Sequence, residues 1–226
     1  MKNKILAVLM GVMLVSMYGC SYEEAAPANT PVQATSQPKE SGKERKKAYY
    51  KYAVNCLQEI PVPEELKELG IYIEKYVGSD IKYFMADVTG DGKDELIVDC
   101  GEGALMEAYS YRDGEVRYDG SVIGGGVGAK SAWLTKIDGK YYIEEQSSSS
   151  STGFLTKLYQ FRDDITDPTI VHHASIDHAW DDSDKWVYTI DGKTVSEKEF
   201  YEFTERPSEE DITFYSLEVL RQKCGI

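Results

Sequence analysis

Apolar residues at Tyr49, Tyr52, Ala53, Cys56, Leu57 and Ile60 recur at helical spacing, which predicts an amphipathic first helix with Pro61 as its stop. Pro63 suits the first position of a short second helix, PEELKEL, closed by Gly70. After that the period changes. Residues 81–86 and 95–100 are short runs rich in β-branched and aromatic side chains, and they read as two strands. Asp-Gly pairs at 113, 119, 138 and 191 punctuate runs of Tyr, Val and Ile, the pattern of tight hairpin turns. Two of these runs, beginning at Trp133 and Trp186, share the spacing WxxxIDGK, a strand leading into a type I′ turn. Near the C-terminus Ser196 and Glu199 form a capping box for EKEFYEFTE. Pro207, Ser208 and Asp211 then start a last helix through ITFYSLEVLRQK to Gly225, with Ile212, Tyr215, Leu217, Val219 and Leu220 as its core-facing stripe. The expected fold class is α+β: mainly antiparallel β meander and hairpins, partly propeller-like, with N-terminal and C-terminal helices packed on them.

The first 45 residues follow a different logic. Lys2 and Lys4 precede an apolar run from position 5 to 15, and small Gly19 precedes Cys20, the layout of a secretory signal over residues 1–19. The apolar run is shorter than the roughly 20 residues that span a bilayer. Gly19 and Cys20 after that run resemble the lipobox of bacterial lipoproteins, which implies lipidation of Cys20, although Met17 and Tyr18 depart from the usual residues. Residues 20–45 carry Pro27, Pro31 and Pro38 with almost no large apolar side chain, so a disordered tether is expected there. Its end, GKERKK at 42–47, is basic; near a lipid anchor it offers charge to anionic headgroups, while the plainer reading is a solvated start to the first helix. Residues 46–226 are then one β-rich domain, and the whole is expected on the cell membrane, lipid-anchored and facing outward.

Charge narrows the partners. The chain carries a net −14, and loss of Lys2 and Lys4 with the signal leaves −16, which argues against nucleic-acid phosphates. With Cys20 assigned to lipid, Cys56, Cys100 and Cys224 have no zinc-like spacing and are expected as buried thiols, one disulfide remaining open.

The densest chemistry lies between the strands at 81–86 and 95–100. In DVTGDGKDEL, oxygen-bearing positions alternate around a glycine-rich turn: Asp87, Thr89, Asp91, the Lys93 carbonyl and Glu95. A hard cation such as Ca²⁺ takes six to eight oxygens from this kind of spacing. The loop lacks the position-12 Glu of an EF-hand, having Val98 there. Joined to strands on both sides, it resembles the FG-GAP/VCBS type of calcium-binding repeat, with Thr89 where the family has Asp or Asn. The resemblance implies one structural Ca²⁺ of weak affinity.

Other candidates are thinner. His172, His173 and His178 are the only histidines, and strand alternation sets His172 and His178 apart from His173 and Asp177, so no face offers three ligands. Asp163 with Asp164 and Asp181 with Asp182 are acidic pairs that read as loop charge. The glycine run at 124–128 and the serine run at 147–151 read as flexible loops, conceivable as a binding rim. No nucleophile or phosphate-loop motif occurs, and no catalytic residue is assigned. The layout from 45 to 206 resembles uncharacterised surface lipoproteins of clostridia and their relatives. The expected function is a non-catalytic surface module that binds a cell-wall or extracellular protein or glycan. A hydrolase acting through acidic residues and a solute-binding lipoprotein are the alternatives.

Overall fold

The computed structural model describes residues 41–226 except 69–73, 102, 125–130, 150–152, 163–164 and 180–181; at 148–149, 165–167, 178–179 and 182–184 it describes the backbone alone. The signal, Cys20 and the tether up to residue 40, Asp163, Asp164, Asp181, most of the glycine run and the His178 side chain therefore lie outside the described residues. Glu40–Ile226 forms one compact unit.

Helix α1 (Gly42–Cys56) starts at Ser41, whose hydroxyl accepts from the Glu44 amide at 3.2 Å. Residues 42–45, at the end of the expected tether and read as a solvated start to the first helix, are helical because this cap supplies a start signal ahead of the apolar pattern. The helix also ends before Pro61. The residue preceding a proline is pushed toward extended backbone, and Glu59–Pro61 forms strand β1, paired with β2 (Lys75–Val77). The Gln58 side chain donates to the Ala53 carbonyl at 3.0 Å and closes the last turn. Helix α2 (Glu64–Glu68) follows Pro63 as expected and buries Leu66.

Two antiparallel meanders carry the fold. Strands β3 (Lys82–Ala86), β4 (Glu95–Asp99), β5 (Leu105–Arg112) and β6 (Glu115–Ile123) form one sheet in sequence order. Strands β7 (Ser131–Ile137), β8 (Lys140–Ser149), β9 (Gly153–Arg162), β10 (Ile165–Ala179), β11 (Asp182–Ile190) and β12 (Lys193–Val195) form the other, each paired with its neighbour in sequence. Asp113, Asp138 and Asp191 all have positive φ, as the type I′ reading requires. The pair at 119 does not turn the chain. Ala108 pairs with Gly120 and Tyr109 with Tyr118, so Asp119 is the extra residue of a β-bulge inside β6. Part of the serine run is also strand, since Ser147, Ser148 and Ser149 pair with Leu155, Phe154 and Gly153.

Packing follows from alternation. Leu96 and Val98 of β4 face a core built with Tyr49, Ala53 and Leu57 of α1, together with Leu220 of the last helix. Ile97 faces a second core shared with Ala132, Leu134, Ile143 and Phe161 of the six-stranded sheet. Strand β4 is thus buried on both sides. On the far face of the six-stranded sheet, Phe200 of α3 (Glu197–Thr204) packs against Phe154 and Tyr188. The capping box of α3 forms as expected, with Ser196 and Glu199 bonded reciprocally.

The last helix is shorter than its sequence suggests. Helix α4 is Leu217–Lys223, and the expected cap Ser208 instead accepts from the Lys136 amide on β7 at 3.1 Å. Glu209 N donates to the Lys136 carbonyl, and Tyr215 exchanges both backbone bonds with Tyr83 on β3. Strands β3 and β7 are sheet edges. Their unpaired amides and carbonyls recruit this segment, which overrides its helical pattern. Of the expected stripe Leu220 is buried, Val219 is exposed, Tyr215 and Leu217 pack half-buried against the first core, and Ile212 packs half-buried against the second beside Phe214, which lay outside the stripe.

Candidate functional site

The loop from 87 to 95 joins β3 to β4, and Ala86 pairs with Glu95 to close the ladder beneath it. Gly90 and Gly92 sit at φ of 86° and 84°, a region open to glycine without cost, and an added Cβ would meet nothing there. Those two residues let the backbone wrap around its own carboxylates. Asp87 accepts from the Gly90 amide at 2.6 Å and, on its other oxygen, from Gly92 at 2.8 Å. Asp91 accepts from the Lys93 amide at 2.7 Å, and its second oxygen lies 3.0 Å from the Lys93 ammonium.

Glu95 is the odd member. It is 2 % exposed, and its carboxylate turns back to accept from the amides of Val88 at 2.9 Å and Thr89 at 3.2 Å. The Thr89 hydroxyl donates to the same oxygen at 3.3 Å. Burial pushes the Glu95 carboxyl up to about 8; the two amide bonds oppose this, and the charges of Asp91 and Asp87 add to it. The structure thus brings Asp87, Thr89, Asp91, Lys93 and Glu95 into one loop, in the order the spacing suggested. It does not draw three acidic groups into a metal-sized cluster among the described residues.

Beside the loop lies a cavity of about 250 Å³. Arg45 and Tyr49 of α1 form one wall, Ser110, Tyr111 and Arg112 of β5 another, and Asp91, Lys93 and Glu95 the third. Tyr49 donates to the Asp94 carbonyl at 3.0 Å and so ties α1 to the loop; burial raises its hydroxyl pKa. Behind the β5 wall, Asp119 accepts from Ser110 at 2.9 Å and from the Arg112 guanidinium at 2.6 Å. Cationic Arg45, Lys93 and Arg112 share its lining with acidic Asp91 and Glu95. Sequence reasoning missed Arg45, Arg112 and Asp119. Arg45 appeared only as part of the basic GKERKK run and Asp119 only as an Asp-Gly pair that looked like a turn.

Two more buried acids were missed. Glu144 and Glu145 are consecutive on β8, 6 % and 4 % exposed, and strand alternation sends them to opposite faces. Tyr159 donates to Glu145 at 2.6 Å and Lys157 approaches it at 3.3 Å. Glu144 accepts from Gln146 at 2.9 Å, and burial raises its pKa. Facing apart, they cannot act as an acid and base on one substrate.

His172 bonds Asp191 through Nδ1 at 2.9 Å, and the His173 amide donates to the same carboxylate at 2.9 Å. Partial burial raises the Asp191 pKa, but these bonds outweigh it and hold the group below its usual range. His172 and Asp191 thus brace the β10–β11 hairpin onto the turn that follows it. Cys100 and Cys224 are buried free thiols, as expected, whereas Cys56 is exposed because Leu57, not the last residue of α1, turns into the core. No family model, curated protein or solved structure matches this chain.

Proposed function

We propose that this chain is a lipid-anchored protein of the bacterial cell surface, a non-catalytic module that binds an extracellular protein or cell-wall glycan. In this reading the 87–95 loop holds one Ca²⁺ as a structural staple. The observation that carries the calcium assignment is the wrapping of the loop: its own amides at Gly90, Gly92 and Lys93 fix the carboxylates of Asp87 and Asp91 in place. Each carboxylate oxygen has room for a second partner beyond one N–H.

The donor set fits a hard cation in part. Asp87, Asp91, Thr89 and the Lys93 carbonyl are oxygen donors on one short turn. Glu95 completes the set once its carboxylate leaves the Val88 and Thr89 amides. A cation also replaces the Lys93 ammonium as the neutralising charge at Asp91. The ion would draw the carboxylates of Asp87, Asp91 and Glu95 onto one centre, with Glu95 giving up its proton, and tie β3 to β4.

The anchor is tested separately, by metabolic labelling with a fatty-acid analogue. Wild-type chain incorporates the label and partitions with membranes, whereas Cys20→Ala remains unlabelled and is shed or left unprocessed. Label on the Cys20→Ala chain refutes the anchor.

A further inference from the structure

Helices from opposite ends of the described chain bring their cationic residues together. Lys43, Arg45 and Lys46 from the first turns of α1 and Lys223 from the end of α4 line one surface depression of about 510 Å³. Asp94 is the acidic residue among those described in its wall. Lys43 and Lys223 are exposed, Lys46 is half-buried, and the Lys223 ammonium stands 5.0 Å from the Tyr215 ring centre, which steadies its stem. Lys47 and Arg221 extend the positive surface, although Glu218 offsets Arg221 at 2.9 Å.

This concentration runs against the molecule as a whole, whose net charge is −14. Screening makes the contrast matter locally, because at physiological salt charges more than about 8 Å away contribute little. The depression also sits where the chain emerges from the segment that leads back to Cys20. Twenty residues separate Cys20 from Ser41, and a chain of that length spans at most about 70 Å when fully extended, which bounds how far the folded body can stand from a lipid on Cys20. Gly42 and Lys43 line the depression, so its basic side chains begin within two residues of the point where the folded body joins that segment.

We propose that this depression docks the folded body onto the anionic phospholipid headgroups of the membrane that holds the Cys20 lipid. The proposal rests on the lipid-anchor reading. The headgroup phosphate supplies acceptor oxygens, and the lysine ammoniums act as mobile point charges that follow it without fixed geometry. The lipid keeps the protein on the membrane, and the basic face sets which way the body leans.

Vesicle co-sedimentation tests it on the chain from residue 20 onward carrying Cys20→Ser, so that no acyl chain contributes. Mixed phosphatidylglycerol and phosphatidylcholine vesicles should retain the protein, pure phosphatidylcholine vesicles should not, and high salt should release it. Each cation near an anionic surface contributes about fivefold to partition, so Lys43→Gln/Lys46→Gln/Lys223→Gln should lose about 100-fold. Single reversals Lys43→Glu and Lys223→Glu, on different helices, should each weaken retention if the triple variant does not fold. Equal partition onto both vesicle types, or retention unchanged in these variants, overturns the proposal. Cys20 labelling does not enter this readout, so failure of the anchor and failure of the basic face are separate results.

Discussion

At position 119 a side chain 4 % exposed carries the charge that Arg112 and Ser110 need, and the bulge is what turns it inward. Removing one partner of a buried pair leaves the other uncompensated, a larger loss than the pair is worth against an apolar substitute. Asp119→Ala should therefore cost about 2–4 kcal/mol in urea unfolding. A midpoint equal to wild type would mean that Arg112 finds water instead. Glu144 gives the pH dependence. Burial raises its pKa in the fold above the ordinary 4.5, despite the Gln146 bond and the Arg206 charge that oppose it. The native state thus holds this proton more tightly than the unfolded chain. The stabilisation it brings is full below 4.5 and is lost as pH rises through the higher native value. Glu144→Gln keeps an acceptor for Gln146 without the charge. Denaturation across the range above pH 4.5 should show a shallower decline in stability for Glu144→Gln than for wild type, and parallel curves would contradict the assignment.

Elements whose signals were local were legible from the chain. The Ser196 and Glu199 box, the turns at 113, 138 and 191, and the strands on either side of the 87–95 loop each depend on residues a few positions apart. Ser196→Ala should cost about 1 kcal/mol in urea unfolding, since the Glu199 amide in the first turn of α3 loses its acceptor. A loss near zero would place the start of that helix under tertiary control alone. The misread elements were those decided at a distance. The pair at 119 fell inside β6 because Arg112 and Ser110, across the hairpin, need its carboxylate more than the chain needs a turn. The 208–216 segment has a helical apolar pattern, yet the open edges of β3 and β7 offered backbone partners that no local window contains. The same limit applied to the site: spacing collected Asp87, Thr89, Asp91, Lys93 and Glu95, but not the Arg45 and Arg112 walls brought up by α1 and β5.

For the whole molecule, the 87–95 loop lies where α1, β3, β4 and β5 meet, so a change in its charge reaches the core beneath α1. Tyr49, fully buried, is bonded to the Asp94 carbonyl, and Glu95 is buried directly after it. Extracellular calcium modules bind with dissociation constants of about 10⁻⁴ to 10⁻³ M, so roughly 1 mM calcium would add about 0.4–1.4 kcal/mol to stability. For a domain of this size that is about 1–5 °C in Tm. The most direct measurement is therefore a thermal melt of the mature chain in 1 mM calcium (about the level assumed above) and in chelator, beside Asp91→Ala. A midpoint higher in calcium by that margin, with the difference abolished in the variant, is the expected result; coincident curves for wild type in calcium and in chelator would leave the loop a tight turn held by its own amides, with no ion to staple it.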